Sequence, residues 1–94
     1  MSDKNVRYKH NRLQQLRGFC YAAQEGSVSK AAERMFLSQP SVSLQIQALE
    51  RELGASLFDR NGPNIDLTHD GKLLLDLAQP IIEGFAGLDE SFQA

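Results

Sequence analysis

The chain has no tryptophan, one cysteine and two histidines. A single cysteine excludes an internal disulfide. Cys20 falls in an apolar helical pattern, so it reads as a small buried hydrophobe. His10 and His69 belong to different elements, with no cysteine or acid cluster at metal-ligand spacing, so no metal and no cofactor is expected. Glycine-rich phosphate loops and nucleophile motifs are also missing, which argues against an enzyme. No apolar run reaches the length of a membrane span, and the opening MSDKNVRYKH lacks the apolar segment of a secretory signal. The expectation is a cytoplasmic protein without membrane contact. Ninety-four residues make one small domain, whose modest core leaves room for partner surfaces to add stability.

A basic excess is lacking too. The net charge is −2, a mild argument against a nucleic-acid partner until its distribution is checked. Residues 1–60 hold nine Lys or Arg against six Asp or Glu, a net of +3. Residues 61–94 hold Lys72 alone against six acids, a net of −5. The basic part coincides with the segment that carries the strongest pattern.

That segment is Ser38 to Leu53, SQPSVSLQIQALEREL. On a 3.6-residue wheel Val42, Ile46, Leu49 and Leu53 form one narrow stripe for the core. Pro40, Ser43, Leu44, Gln47 and Arg51 lie opposite. A merely solvated face is usually filled with Lys and Glu, whereas this one is short, mostly uncharged and rich in amides and hydroxyls. Such a face suits a helix that lies close against another surface and reads it. The expected fold is mainly α: a winged helix-turn-helix with a three-helix core and a two-stranded wing, followed by a long C-terminal dimerisation helix.

Taken in order, residues 1–10 read as a polar tail, whose Lys4, Arg7, Lys9 and His10 would at most form a basic arm. The winged helix-turn-helix is expected over 11–68, with the helix-turn-helix at about 28–47 and the wing at about 57–67. The first helix opens at Asn11, carries Leu13, Leu16, Phe19, Cys20 and Ala23 at helical spacing, and ends at Gly26. Ser27 caps the second, where Val28, Ala31, Ala32 and Met35 face the core and the two alanines allow a close helix crossing. Lys30 and Arg34 lie off that stripe and are candidates for phosphate contact. Phe36 and Leu37 are expected to fill the turn. Ser38 caps the third helix, 39–53, with Pro40 in its first turn, where a missing N–H costs nothing, and Gly54 ends it. Leu57, Phe58, Ile65 and Leu67 are strand-like around the turn Asn61-Gly62-Pro63-Asn64. Arg60 stands near the wing tip, either contacting DNA or paired with Asp59 or Asp66.

Thr68 caps the last helix, 69–94. Leu74, Ala78, Ile81, Phe85, Leu88 and Phe92 are spaced as a heptad seam, with Leu73 and Leu77 expected to face the domain body. So much apolar surface calls for a second copy of the same helix. Pro80 interrupts it, predicting one kinked helix rather than two.

With these residues in hand, the chain resembles the N-terminal DNA-binding domain of LysR-type transcriptional regulators from Leu13 to about Leu88. The carriers are LQQLRGFCYAAQEGSVSKAAERMFLSQPSVSLQIQALERELGASLFDR and LTHDG, a long pattern with fixed spacings. The resemblance implies a bacterial regulator that binds double-stranded DNA at inverted-repeat promoter sites as a homodimer, with tetramers in the full-length parent. It implies a recognition helix in the major groove, and a small-molecule effector bound only by a further C-terminal domain, so that this chain looks like an isolated DNA-binding fragment. By position Ser38, Gln39, Pro40, Ser41 and Ser43 are groove-facing, Arg34 and Arg60 contact the backbone, and Thr68 caps the linker helix near a phosphate. From chemistry, Gln39 is the best base reader, because an amide can bind adenine N6 and N7 together, and Gln47 is expected to approach the DNA. Leu44 stands where the family often has Arg or Lys and would instead touch thymine methyl groups. The wing lacks its usual basic residues, and Asp70 replaces an alanine. Fewer cations predict weaker non-specific binding and a shallower salt dependence. A winged helix that binds protein rather than DNA is the rival reading, supported by the acidic total charge and by Leu44.

Overall fold

A computed structural model describes residues 12–60 and 64–93. The element order is α1 (Arg12–Glu25), α2 (Val28–Met35), α3 (Gln39–Leu53), β1 (Phe58–Asp59), β2 (Asp66–Leu67) and α4 (His69–Ser91). The polar tail, the Asn11 cap and the turn residues Asn61 to Pro63 lie outside the described residues. Among the described residues no helix is long and apolar enough to cross a membrane.

The starts of α2, α3 and α4 have a chemical cause. The side-chain oxygens of Ser27, Ser38 and Thr68 accept from the backbone N–H groups of Lys30, Ser41 and Gly71, satisfying donors that have no intrahelical partner. Pro40 sits in the first turn of α3. That helix ends at Gly54 with φ +68°, a left-handed conformation glycine adopts freely.

The core is the meeting of α1, α2 and α3 under the wing. Phe19, Cys20, Ala22, Ala31, Ala32, Val42, Ile46, Leu49 and Leu57 are buried, and the Phe19 and Phe58 rings meet at 5.3 Å in a tilted pair. Leu13, Leu16, Ala23 and Val28 are only half-buried at its edge. On α1 the buried set is Gln15, Gly18, Phe19, Cys20 and Ala22. Gln15 is held there by Arg12 Nε, which donates to its Oε1 at 3.1 Å, and by Glu52, which accepts from its Nε2 at 3.2 Å. Arg12 also pairs with Glu52 at 2.9 Å, tying the start of α1 to the end of α3.

Two expectations fail for geometric reasons. Leu53 is 42% exposed, because the packed face of α3 ends at Leu49. Phe36 does not fill the turn: its ring is 95% exposed. The wing is the short two-stranded hairpin expected, with Phe58 opposite Leu67 and Asp59 opposite Asp66, while Leu57 and Ile65 lie outside the ladder. Like charges directly opposite one another disfavour extending such a ladder.

The C-terminal helix is continuous through Pro80, as expected, but its faces differ from the reading. Ala78 is 1% exposed and belongs to the core, together with Gly71 and Ile82, and Leu74 is half-buried against it. Neither residue lies on a free seam. Leu73 and Leu77, expected against the body, are 56% and 61% exposed. The free apolar stripe is therefore Leu73, Leu77, Ile81, Phe85 and Leu88 of α4, with Phe92 exposed at its C-cap.

α4 is seated by a close backbone approach. A Cβ on Gly71 would lie 2.1 Å from the Leu57 carbonyl oxygen. The surrounding hydrogen bonds fix that spot: Thr68 N–H donates to Leu57 O at 3.0 Å, Thr68 Oγ1 donates to Ser56 O at 2.6 Å, and Leu57 N–H donates to the Glu50 carboxylate at 2.8 Å.

Candidate nucleic-acid interface

The outward side of α3 carries the candidate site. Gln39, Pro40, Ser41, Leu44, Gln47 and Arg51 are exposed, and Ser43 is half-buried. The same helix sends Val42, Ile46 and Leu49 into the core, so its rotation is fixed and the polar side is held outward as a rigid strip. At its N-terminus Ser38 Oγ accepts from Ser41 N–H at 3.2 Å and donates to Ser41 Oγ at 2.9 Å, while Val42 N–H donates to Ser38 O at 3.3 Å. Pro40 has no N–H. Among the described residues this leaves the Gln39 N–H as the first-turn donor without an intrachain acceptor, directed where the helix dipole is positive.

The flanking cations differ in their freedom. Lys30, in the first turn of α2, is exposed. Arg60 follows β1, is exposed, and makes no ion pair among the described residues; the pairing with Asp59 or Asp66 is not formed. Arg34 is already engaged. Its guanidinium lies 4.0 Å from the Tyr21 ring centroid, its Nη1 donates to Gln24 Oε1 at 2.8 Å, and it pairs with Glu25 at 3.2 Å. It braces α2 against α1, and reaching a phosphate would forfeit those contacts. The Thr68 hydroxyl is likewise committed, donating to Ser56 O and accepting from Gly71 N–H. The structure thus brings Ser38, Gln39, Pro40, Ser41, Leu44 and Gln47 onto one surface, with Lys30 and Arg60 on other elements, and gives Arg34 and Thr68 internal partners.

The Arg34–Tyr21–Gln24 cluster escaped the sequence reading. It continues into α4, where Gln24 Nε2 donates to Gln79 Oε1 at 3.0 Å and Gln79 Nε2 donates to Glu83 at 2.9 Å. Long polar side chains on three helices carry no spacing signal that would have predicted it. Cys20, buried between these helices, has its thiol pushed up to about 11 by burial and by the nearby Glu83 carboxylate, which makes it an inert core residue at neutral pH.

The geometry agrees with a known family. Residues 13–72 match the model of the bacterial regulatory helix-turn-helix proteins of the lysR family. The chain belongs to that family. As a lysR-family domain it is 44% identical over 70 residues to the HTH-type transcriptional regulator TfdT of Cupriavidus pinatubonensis, a match covering 74% of this chain and 31% of TfdT. It is 49% identical over 70 residues to a probable RuBisCO transcriptional regulator of Synechocystis, covering 74% of this chain and 20% of that protein. The chain thus spans less than a third of the length of these relatives. Among solved structures, the DNA-binding domain of BenM in complex with catB site 1 DNA superposes with a TM-score of 0.75 at 32% identity, covering 84% of this chain and 88% of that one. The CbnR DNA-binding domain complexed with DNA gives 0.73 at 38% identity, covering 84% and 90%. The winged helix-turn-helix architecture, with four helices and one two-stranded antiparallel sheet among the described residues, is that of these domains.

Proposed function

We propose that this lysR-family domain binds double-stranded DNA sequence-specifically, with α3 in the major groove and a second copy paired along α4, as the reading head of a cytoplasmic bacterial transcription regulator with no catalytic activity of its own. One observation carries the reading: the outward side of α3, from Gln39 through Pro40 and Leu44 to Gln47, is exposed, nearly uncharged and held rigid by the core contacts of Val42, Ile46 and Leu49. Gln39 reads a base through its amide. Ser38, Pro40, Ser41 and Ser43 fit closely to the groove, and Leu44 contacts thymine methyl groups. Lys30 and Arg60 hold phosphates on either side and set the register without carrying sequence information. The Leu73, Leu77, Ile81, Phe85, Leu88 and Phe92 stripe supports a homodimer, which would place two heads on an inverted repeat.

Selection of bound sequences from random duplexes, followed by fluorescence titration, tests the reading. Gln39→Ala is expected to cost roughly 1–3 kcal/mol on the selected site and to relax discrimination at one base pair. An equal loss on every duplex would remove Gln39 from base reading. Sedimentation of Ile81→Asp/Leu88→Asp is expected to give a monomer where the parent domain self-associates. A parent domain that stays monomeric on its selected duplex would remove α4 as the pairing surface.

A further inference from the structure

Phe36 is the residue the fold does not use. The end of α2 is a Schellman turn: Phe36 N–H donates to Glu33 O at 3.2 Å and Leu37 N–H donates to Ala32 O at 3.0 Å, which places Phe36 in the left-handed region. Its φ is +57°, and the other positive-φ positions among the described residues are Gly26 and Gly54. An L side chain is strained there, and an aromatic one has no local hydrogen bond to relieve it. Burial offers no compensation, since the ring is 95% exposed. Residues 36 to 41 are exposed without a break, so the ring continues the surface that the start of α3 presents. A strained backbone thus displays an apolar ring outside its own core, the kind of outlier from which a functional hypothesis is properly drawn.

We propose that Phe36 is a DNA-contacting residue whose ring covers apolar duplex surface, either a thymine methyl or a deoxyribose, beside the place where Ser38 and Gln39 meet the groove. The proposal rests on the DNA-binding reading of α3. Phe36 stands two residues before the Ser38 cap, so seating the N-terminus of α3 in the groove carries the ring to the same duplex. The ring has no donor or acceptor. It cannot read a hydrogen-bonding edge or hold a phosphate, but it can displace water from a methyl or a sugar.

The test compares the parent domain with Phe36→Ala and Phe36→Asn on the duplex selected by the parent. Asparagine tolerates the left-handed conformation, so Phe36→Asn is expected to melt above the parent, which separates lost contact from lost folding. Both variants are expected to bind about tenfold more weakly, with an unchanged salt slope because no charge is removed. Replacing thymine by uracil in the duplex distinguishes the two surfaces. If the ring meets a methyl, the replacement weakens the parent more than the variants; if it meets a sugar, the tenfold difference persists on uracil duplexes. Parent-like binding by both variants would overturn the proposal and leave the ring free for a protein partner. A parent domain that binds no duplex would overturn the reading of α3 itself, a failure seen before any substitution is made.

Discussion

Gly71→Ala isolates the contact that seats α4 on the wing. The added methyl carbon would stand 2.1 Å from Leu57 O, 2.9 Å from Leu67 Cδ2 and 3.1 Å from the Leu57 carbonyl carbon. The leucine methyl can rotate away, but the carbonyl cannot move alone. It accepts from Thr68 N–H, and its neighbours are tied through Ser56 O to Thr68 Oγ1 and through Leu57 N–H to Glu50. Opening a gap of more than an ångström forfeits two or three hydrogen bonds worth about 1 kcal/mol each, and overpacking adds about 1–3 kcal/mol. Alanine's better helix propensity returns about 1 kcal/mol. The net expectation is a loss of about 2–5 kcal/mol, a large part of the stability of a small domain. Urea unfolding followed by circular dichroism measures it, with Gly84→Ala and Gly87→Ala as controls. Those glycines lie in the same helix with nothing within 4 Å of a built Cβ, so each control is expected to hold or raise stability by up to about 1 kcal/mol. One substitution made three times in one helix should therefore change sign at Gly71 alone. A Gly71→Ala domain as stable as the controls would refute the close approach and, with it, the seat assigned to α4.

Arg34→Ala and Arg60→Ala are expected to differ in kind. The first should lower stability by about 1 kcal/mol, mostly through the lost Tyr21 stacking, since exposed ion pairs contribute little, and should leave the salt dependence of DNA binding unchanged. The second should leave stability alone and reduce the salt slope by about one; a slope that falls for Arg34→Ala instead would return that residue to the phosphate contacts. The Cys20 thiol is expected to resist alkylation at pH 8 until urea unfolds the chain. Its folded value of about 11 lies above its ordinary 9.0, so between these values the unfolded thiol ionises while the folded one keeps its proton. Its contribution to stability is thus complete below pH 9 and declines as pH rises toward 11, and a Cys20→Ala domain should show a flatter decline over that window. Equal declines would place the thiol in contact with solvent.

The helix-turn-helix was legible because several local rules agree there. Ser27, Ser38 and Thr68 cap where small polar residues precede apolar periodicity, and Ala31, Ala32, Val42, Ile46 and Leu49 are buried as their spacing requires. What escaped depends on distant partners. Gln15 is polar, yet 2% exposed, because Arg12 and Glu52 come from both ends of the three-helix unit to satisfy it. Arg34 looks free on its own helix and is bound only because Tyr21 and Gln24 of α1 lie alongside. The need for glycine at position 71 is set by the Leu57 carbonyl, fourteen residues earlier, and no pattern within α4 announces it.

The misassigned faces of α4 come from the periodicity itself. A straight helix drifts about 20° per heptad from a 3.5-residue repeat. A seam drawn through Leu74, Ala78, Ile81, Phe85, Leu88 and Phe92 therefore crosses between two surfaces. Its first members turn toward the core beside Gly71 and Ile82, and its last members turn away. The domain body covers one side of α4 only as far as Ile82, its last buried position, so a residue's fate depends on its distance along the helix as well as its angle. Leu73 and Leu77 lie about 100° from Leu74 and Ala78 on the wheel, far enough to miss the body and join Ile81 and Leu88. The exposed stripe thus begins beside the wing rather than halfway along α4. A second copy packed on it would touch the base of the winged head through Leu73 and Leu77, and would couple the angle of one head to the position of the other.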